Sequence, residues 1–205
     1  MLTEVTPQRS AGAELEAFVA AEAAEHRAAF ESLLKGLSGT LGAMLSIWEG
    51  SVRAGGKLLI FGNGGSAGNA EHIAAELAIR YKTDRPAIPA VALTTDMSTM
   101  TAAANDLGFD RVFSRQIEAL GRPGDVAVGI STSGRSPNVL AALREARSRQ
   151  LRTTGLGGGD GGELPQLCEA QVTVPSTTTA RIQEMHLLVS HLLCKALEQR
   201  LGYTR

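Results

Sequence analysis

Five short apolar runs alternate with helical stretches along this chain, and that alternation constrains the fold more than any other feature. Residues 57–61, 90–93, 125–130, 153–156 and 170–174 read as strands. Helical patterns fall near residues 66–81, 98–104, 111–120 and 137–149, and one long helix is expected over 179–201. Pro86 and Pro89 punctuate the chain before the second strand. Strands that alternate with helices predict an α/β fold, a five-stranded parallel sheet covered by helices on both faces. Ahead of it, about residues 11–51 carry apolar residues at three- and four-residue spacing, among them Leu15, Phe18, Leu33, Leu37 and Trp48. Gly36, Gly39 and Gly42 suggest two helices joined near residues 37–40. The expected organisation is an N-terminal helical arm over 1–52, frayed over 1–10, and a domain over 53–205. The arm either packs on another subunit or covers its own sheet.

A length of 205 residues fits one such domain. With 43% hydrophobic and 20% charged residues the chain can bury a full core. A net charge of -1 argues against a nucleic-acid or membrane-surface protein, so any anion site must be local. Cys168 and Cys194 make no disulfide framework, which favours a reducing, cytoplasmic setting. The N-terminus has no apolar segment after a basic start, so no signal peptide is expected. No apolar run reaches membrane-spanning length.

Two loops carry the chemical signal. Gly62-Asn63-Gly64-Gly65-Ser66-Ala67 lies between a strand and a helix. Unpaired N–H groups at a helix start favour an anion, glycine lets the backbone approach it, and Ser66 adds a hydroxyl. The loop also fits a loose dinucleotide fingerprint, but no acidic residue ends the next strand, and no Gly-Lys-Ser/Thr follows for a P-loop. The second loop, Ser131-Thr132-Ser133-Gly134-Arg135-Ser136-Pro137, places four hydroxyls within six residues between a strand and a helix. One Ser or Thr there is ordinary capping; four exceed what a cap needs. Ligands of open α/β sheets bind at strand carboxyl ends, so two such loops favour a small phosphorylated ligand over a dinucleotide.

The first loop is followed, in order, by His72-Ile73-Ala74-Ala75-Glu76, Asn105-Asp106, and Arg181-Ile182-Gln183-Glu184-Met185-His186, with Gly129 to Gly134 between the last two. Together they resemble the sugar isomerase (SIS) superfamily and, within it, the phosphoheptose isomerases, over roughly residues 33–201. The resemblance implies the SIS fold and a homotetramer with active sites between subunits. It implies aldose–ketose conversion of sedoheptulose 7-phosphate to D-glycero-D-manno-heptose 7-phosphate, often with one zinc ion per subunit. By position, Glu76 and His191 match the family's proton-transfer pair, and His72, Glu76, Gln183 and His191 its metal ligands. Asn63, Gly64, Gly65, Ser66, Asn105, Asp106, Ser131, Thr132, Ser133, Ser136 and Gln183 match its substrate contacts. Two segments depart from the family pattern: Gly68-Asn69-Ala70-Glu71, and Arg135 where Asn is common. Arg135 either pairs with a phosphate or is merely solvated.

The implied chemistry suits these groups. Moving a proton between C1 and C2 through an enediol needs a base, a partner at the neighbouring oxygen and stabilisation of the oxyanion. His72 and Glu76, four residues apart, share a helix face and can reach one metal ion. Gln183 and His191 lie about 12 Å apart along a straight helix. Ligands are therefore expected from different subunits, or not all four at once. His186 is expected to be a packing histidine. Asp96 reads equally as a cap or a site residue. Two other readings stay open: a non-catalytic SIS sugar-phosphate scaffold of the replication-initiator-associating type, and an isomerase for another sugar phosphate. Retention of both Glu76 and His191 favours the enzyme.

Overall fold

The computed structural model describes residues 11–204; the fraying expected over 1–10 lies outside that range. The elements in order are α1 (Ala11–Leu34), α2 (Leu37–Arg53), β1 (Leu58–Gly62), α3 (Gly65–Ala78), β2 (Ala90–Ala92), α4 (Met97–Leu107), α5 (Ser114–Leu120), β3 (Val126–Ser131), α6 (Pro137–Ser148), β4 (Arg152–Gly158), α7 (Leu164–Leu167), β5 (Ala170–Val174) and α8 (Thr179–Arg200). A single 3-10 turn, Phe109–Arg111, opens the stretch expected to be one helix over 111–120.

All five strands are parallel, in the order β2-β1-β3-β4-β5. Burial follows that order. Every residue of β1 and β3 is buried, whereas the edge strands β2 and β5 are partly exposed. Side chains of β1 alternate between two cores. Leu58 and Ile60 join a cluster with α2, α3 and α8, while Leu59 and Phe61 join one with α5 and α6. The Phe61 ring meets Phe113 at 5.5 Å between centroids. Burying each such ring contributes about 1.5–3 kcal/mol.

The joint between the first two helices falls at Gly36, not within 37–40. Gly36 has φ of +92°, a left-handed conformation that favours glycine, and Gly39 and Gly42 continue within α2. Helix α2 packs in the same cluster as the sheet through Met44, Leu45, Ile47 and Trp48, and Trp48 Nε1 donates to Thr154 Oγ1 at 3.0 Å. A boundary after residue 52 would separate this helix from the core it fills. Residues 12–28 of α1 are exposed, including Leu15, Phe18 and Val19 at about 60% each; Ala29 and Leu33 reach the core. The N-terminal half of α1 therefore does not cover its own sheet.

Candidate active site

The strand order reverses between β1 and β3, and ligands of such sheets bind outside the carboxyl ends at that point. Both Gly- and Ser-rich loops leave the sheet there. Asn63 and Asn138, at the start of α6, join the loops by reciprocal amide hydrogen bonds of 2.8 Å each, and Asn138 also accepts from the Val139 amide. The Asn63 carboxamide thus latches one loop to the other. Ser131 and Ser136 hydroxyls lie 2.9 Å apart, Ser66 is buried, and Gly64 and Ser133 are exposed. Thr132 and Ser133 line a cavity of about 420 Å³ that continues to Gly158, Ser176 and Thr179. Two glycine contacts fix its shape. A Cβ on Gly134, whose φ is +64°, would lie 2.0 Å from the Gly161 carbonyl oxygen, and one on Gly158 would strike Ile182 at 2.5 Å.

Helices α3 and α8 run side by side in the same direction, both starting at this edge of the sheet. The Gln183 carboxamide lies against Gly65, where a Cβ would come within 2.4 Å of its Nε2. Asn69 Nδ2 donates to the Gln183 carbonyl at 3.3 Å. Two turns further on, His72 Nε2 and His191 Nε2 meet at 2.8 Å, and His72 Nε2 is 3.5 Å from Glu76 Oε1. The Tyr81 ring packs on His191 at 5.5 Å between centroids. Beyond them Arg85 and Glu198 form an enclosed ion pair at 2.8 Å, and Arg85 also donates to the Glu76 carbonyl at 2.7 Å. That pair ties together the two helices that carry Glu76 and His191.

Donor atoms of His72, Glu76 and His191 all lie within 4.8 Å of one another, so these three could hold a metal ion. Tetrahedral zinc with bonds of about 2.0–2.1 Å separates neighbouring donors by about 3.3 Å. The observed 2.8 and 3.5 Å bracket that value. Glu76 Oε2 is buried with no hydrogen-bond partner, which a cation would relieve. The donor set therefore fits a divalent ion.

Other expected residues sit elsewhere. Asn105 and Asp106 are exposed at the end of α4 and bond to each other, and Asp106 lines a different cavity with Thr99 and Arg115. Within this one chain they do not join the loops. Asp96 is an N-cap: it accepts from the Thr99 amide at 3.1 Å and hydroxyl at 2.6 Å, which lowers its pKa. His186 is a packing residue, 0% exposed, and its Nε2–H donates to the Gly157 carbonyl at 2.9 Å. Arg135 forms a two-pronged pair with Asp160. Asn138, Tyr81, Arg85 and Asp160 were not singled out by sequence; no spacing or motif marks them, because each acts through a partner distant in the chain.

A parallel sheet in this order is common to doubly wound folds with a ligand site at the reversal point, and here the SIS domain family model matches residues 23–158, which places the chain in that class. A phosphoheptose isomerase of Paramagnetospirillum magneticum is 60% identical over 148 residues, 72% of this chain and 77% of that protein. Its namesake in Trichlorobacter lovleyi is 45% identical over 187 residues, 91% and 95% of the two chains. The solved phosphoheptose isomerase of Neisseria gonorrhoeae matches with a TM-score of 0.85 and 42% identity, over 90% of this chain and 99% of that one. The chain belongs to the phosphoheptose isomerase family.

Proposed function

We propose that this chain is an aldose–ketose isomerase converting D-sedoheptulose 7-phosphate to D-glycero-D-manno-heptose 7-phosphate. The observation that carries the chemistry is the meeting of a carboxylate on α3 and an imidazole on α8, about two to three helical turns from the start of α3. The loops, with Ser131, Thr132, Ser133 and Ser136, take the phosphate. Glu76 removes the C1 proton; the C1=C2 bond forms and O2 takes a proton from His191. The enediol then collapses: His191 accepts the O1 proton, C1=O forms, and Glu76 returns its proton to C2. Atoms and charge balance within the sugar. His72 fixes the His191 ring by the Nε2–Nε2 hydrogen bond. Gln183, whose carboxamide lies against Gly65, bonds sugar hydroxyls between the two ends in this reading.

His72, Glu76 and His191 would hold zinc, with Gln183 on the same face of α8 as a fourth donor; a His191 nitrogen on the ion has no proton to give, so the proton relay above is that of the ion-free pair. The ion, when bound, supplies Lewis-acid stabilisation of the negative oxygen. The exposed Leu15, Phe18 and Val19 support assembly with further copies of the chain, as a homotetramer, and Asn105 and Asp106 would then serve a neighbouring site. Cys168 and Cys194 are free thiols, which suits the cytoplasm. Among the described residues no helix is long and apolar enough to cross a membrane.

The test is NMR of purified protein with sedoheptulose 7-phosphate, with and without chelator, watching for the aldose. Glu76→Gln should lose at least about 100-fold in turnover while keeping its fold. Wild-type turnover in that variant refutes the role of Glu76. Phosphate binding without any isomerisation would mark a scaffold instead.

A further inference from the structure

The cavity beside the second loop carries an ion pair at its rim. Arg135 Nη1 and Nη2 donate to the two carboxylate oxygens of Asp160 at 2.9 and 2.7 Å. Both residues line the cavity together with Thr132, Ser133 and Thr179. Arg135 Nη1 also donates to the Ser133 carbonyl at 3.0 Å, and the Gly162 amide donates to Asp160 Oδ1 at 3.0 Å. These contacts hold the Asp160 carboxyl well below the usual carboxylate range, the Arg135 bond contributing most, so Asp160 stays charged. The next acidic residue, Glu163, is taken by Arg144 at 2.6 Å. A permanent carboxylate at the edge of a phosphate cavity opposes the ligand unless something cancels it.

We propose that Arg135 and Asp160 together set how strongly this cavity holds a sugar phosphate, by fixing the charge at its rim. Paired, they leave the rim neutral. Without Arg135 the rim is negative and repels a phosphate dianion; without Asp160 it is positive and attracts one. The proposal rests on the functional reading above only in placing the phosphate here. One elementary charge about 8 Å from a dianion, in water-like dielectric, changes binding about five-fold. Both side chains are more than half exposed, so salt must reduce the effect.

The test uses the full chain as Arg135→Gln, Asp160→Asn and the double variant. Isothermal titration with inorganic phosphate gives Kd, and turnover of sedoheptulose 7-phosphate gives KM and kcat, at low and high ionic strength. Arg135→Gln should raise Kd and KM about five-fold, and Asp160→Asn should lower both by a similar factor. The double variant should return near wild type, the shifts should shrink in salt, and they should fall on KM rather than kcat. If both single variants weaken binding, the pair acts by holding loop shape and the proposal is overturned. Salt-independent shifts, no shifts, or a wild type that binds no phosphate overturn it as well. A wild type that binds phosphate but isomerises nothing refutes the functional reading and leaves the charge ordering measurable.

Discussion

His186 should make this fold acid-sensitive in a definite window. Its ring is fully enclosed, Nε2–H is bonded to the Gly157 carbonyl on β4, and Nδ1 is buried with no partner. Protonation would put a charge and an unpaired N–H at Nδ1 inside the core. Burial accordingly pushes the imidazole pKa down from 6.5 to about 4, against a smaller opposing contribution from the Gly157 bond. The unfolded chain takes up this proton near pH 6.5, whereas the folded chain resists it until about pH 4. Stability from this residue is therefore full above 6.5, falls as pH drops through the window, and is gone below 4. Integrated to pH 4.5, the loss is about 2.5 kcal/mol. For a chain of this size that lowers Tm by about 5–10 °C.

Other groups titrate in the same range, so the assay is a comparison. Urea unfolding of wild type and His186→Gln at pH 7 and pH 4.5 gives four free energies. The variant should start less stable at pH 7, having changed a buried bond, but should lose about 2 kcal/mol less on acidification. Equal losses in the two proteins would refute the reasoning, because no other residue was altered.

Arg85→Met should destabilise by about 3–5 kcal/mol, since it strands the enclosed Glu198 carboxylate, and Arg85→Met/Glu198→Leu should recover much of that by calorimetry. Gly134→Ala must force a side chain at positive φ onto the Gly161 carbonyl, so chemical denaturation should show a loss above about 2 kcal/mol together with weakened phosphate binding. Gly68→Ala, in α3 with open space at its Cβ position, should instead gain about 1 kcal/mol. His72→Ala removes one of three gathered donors and should lower zinc bound per chain in equilibrium dialysis at least tenfold below saturation.

The central strands were legible because burial on both faces makes them unbroken apolar runs, as in β1 and β3. β4 was read short for the opposite reason. Gly157 and Gly158 look like loop residues, yet they extend the strand because Leu164 and Ile182 occupy the space their Cβ atoms would need. The turn between α1 and α2 was misplaced because three glycines compete there, and only backbone geometry shows that Gly36 alone turns left-handed. In the candidate site, His72 and Glu76 were legible as an i, i+4 pair, but their meeting with His191 depends on how α3 and α8 lie together. Asn105 and Asp106 show the limit most plainly: their order in the chain matches the family, and order carries no distance.

The pairing of α3 with α8 does more than gather three donors. Gly65 faces Gln183 and His72 faces His191, so the two helices advance in step from the sheet edge. Seven or eight residues separate the two levels, which is about 10–12 Å of helix. A sedoheptulose phosphate has six carbon–carbon bonds plus C–O and O–P, and at about 1.25 Å of advance per bond it spans about 10 Å from C1 to phosphorus. The distance between the Gly65 level and the proton-transfer cluster is thus set by helix rise rather than by any adjustable loop. A five-carbon phosphate falls about 2.5 Å short. If the phosphate sits at the Gly65 level, such a sugar should turn over more slowly than the seven-carbon phosphate, and equal kcat/KM for the two would refute that placement.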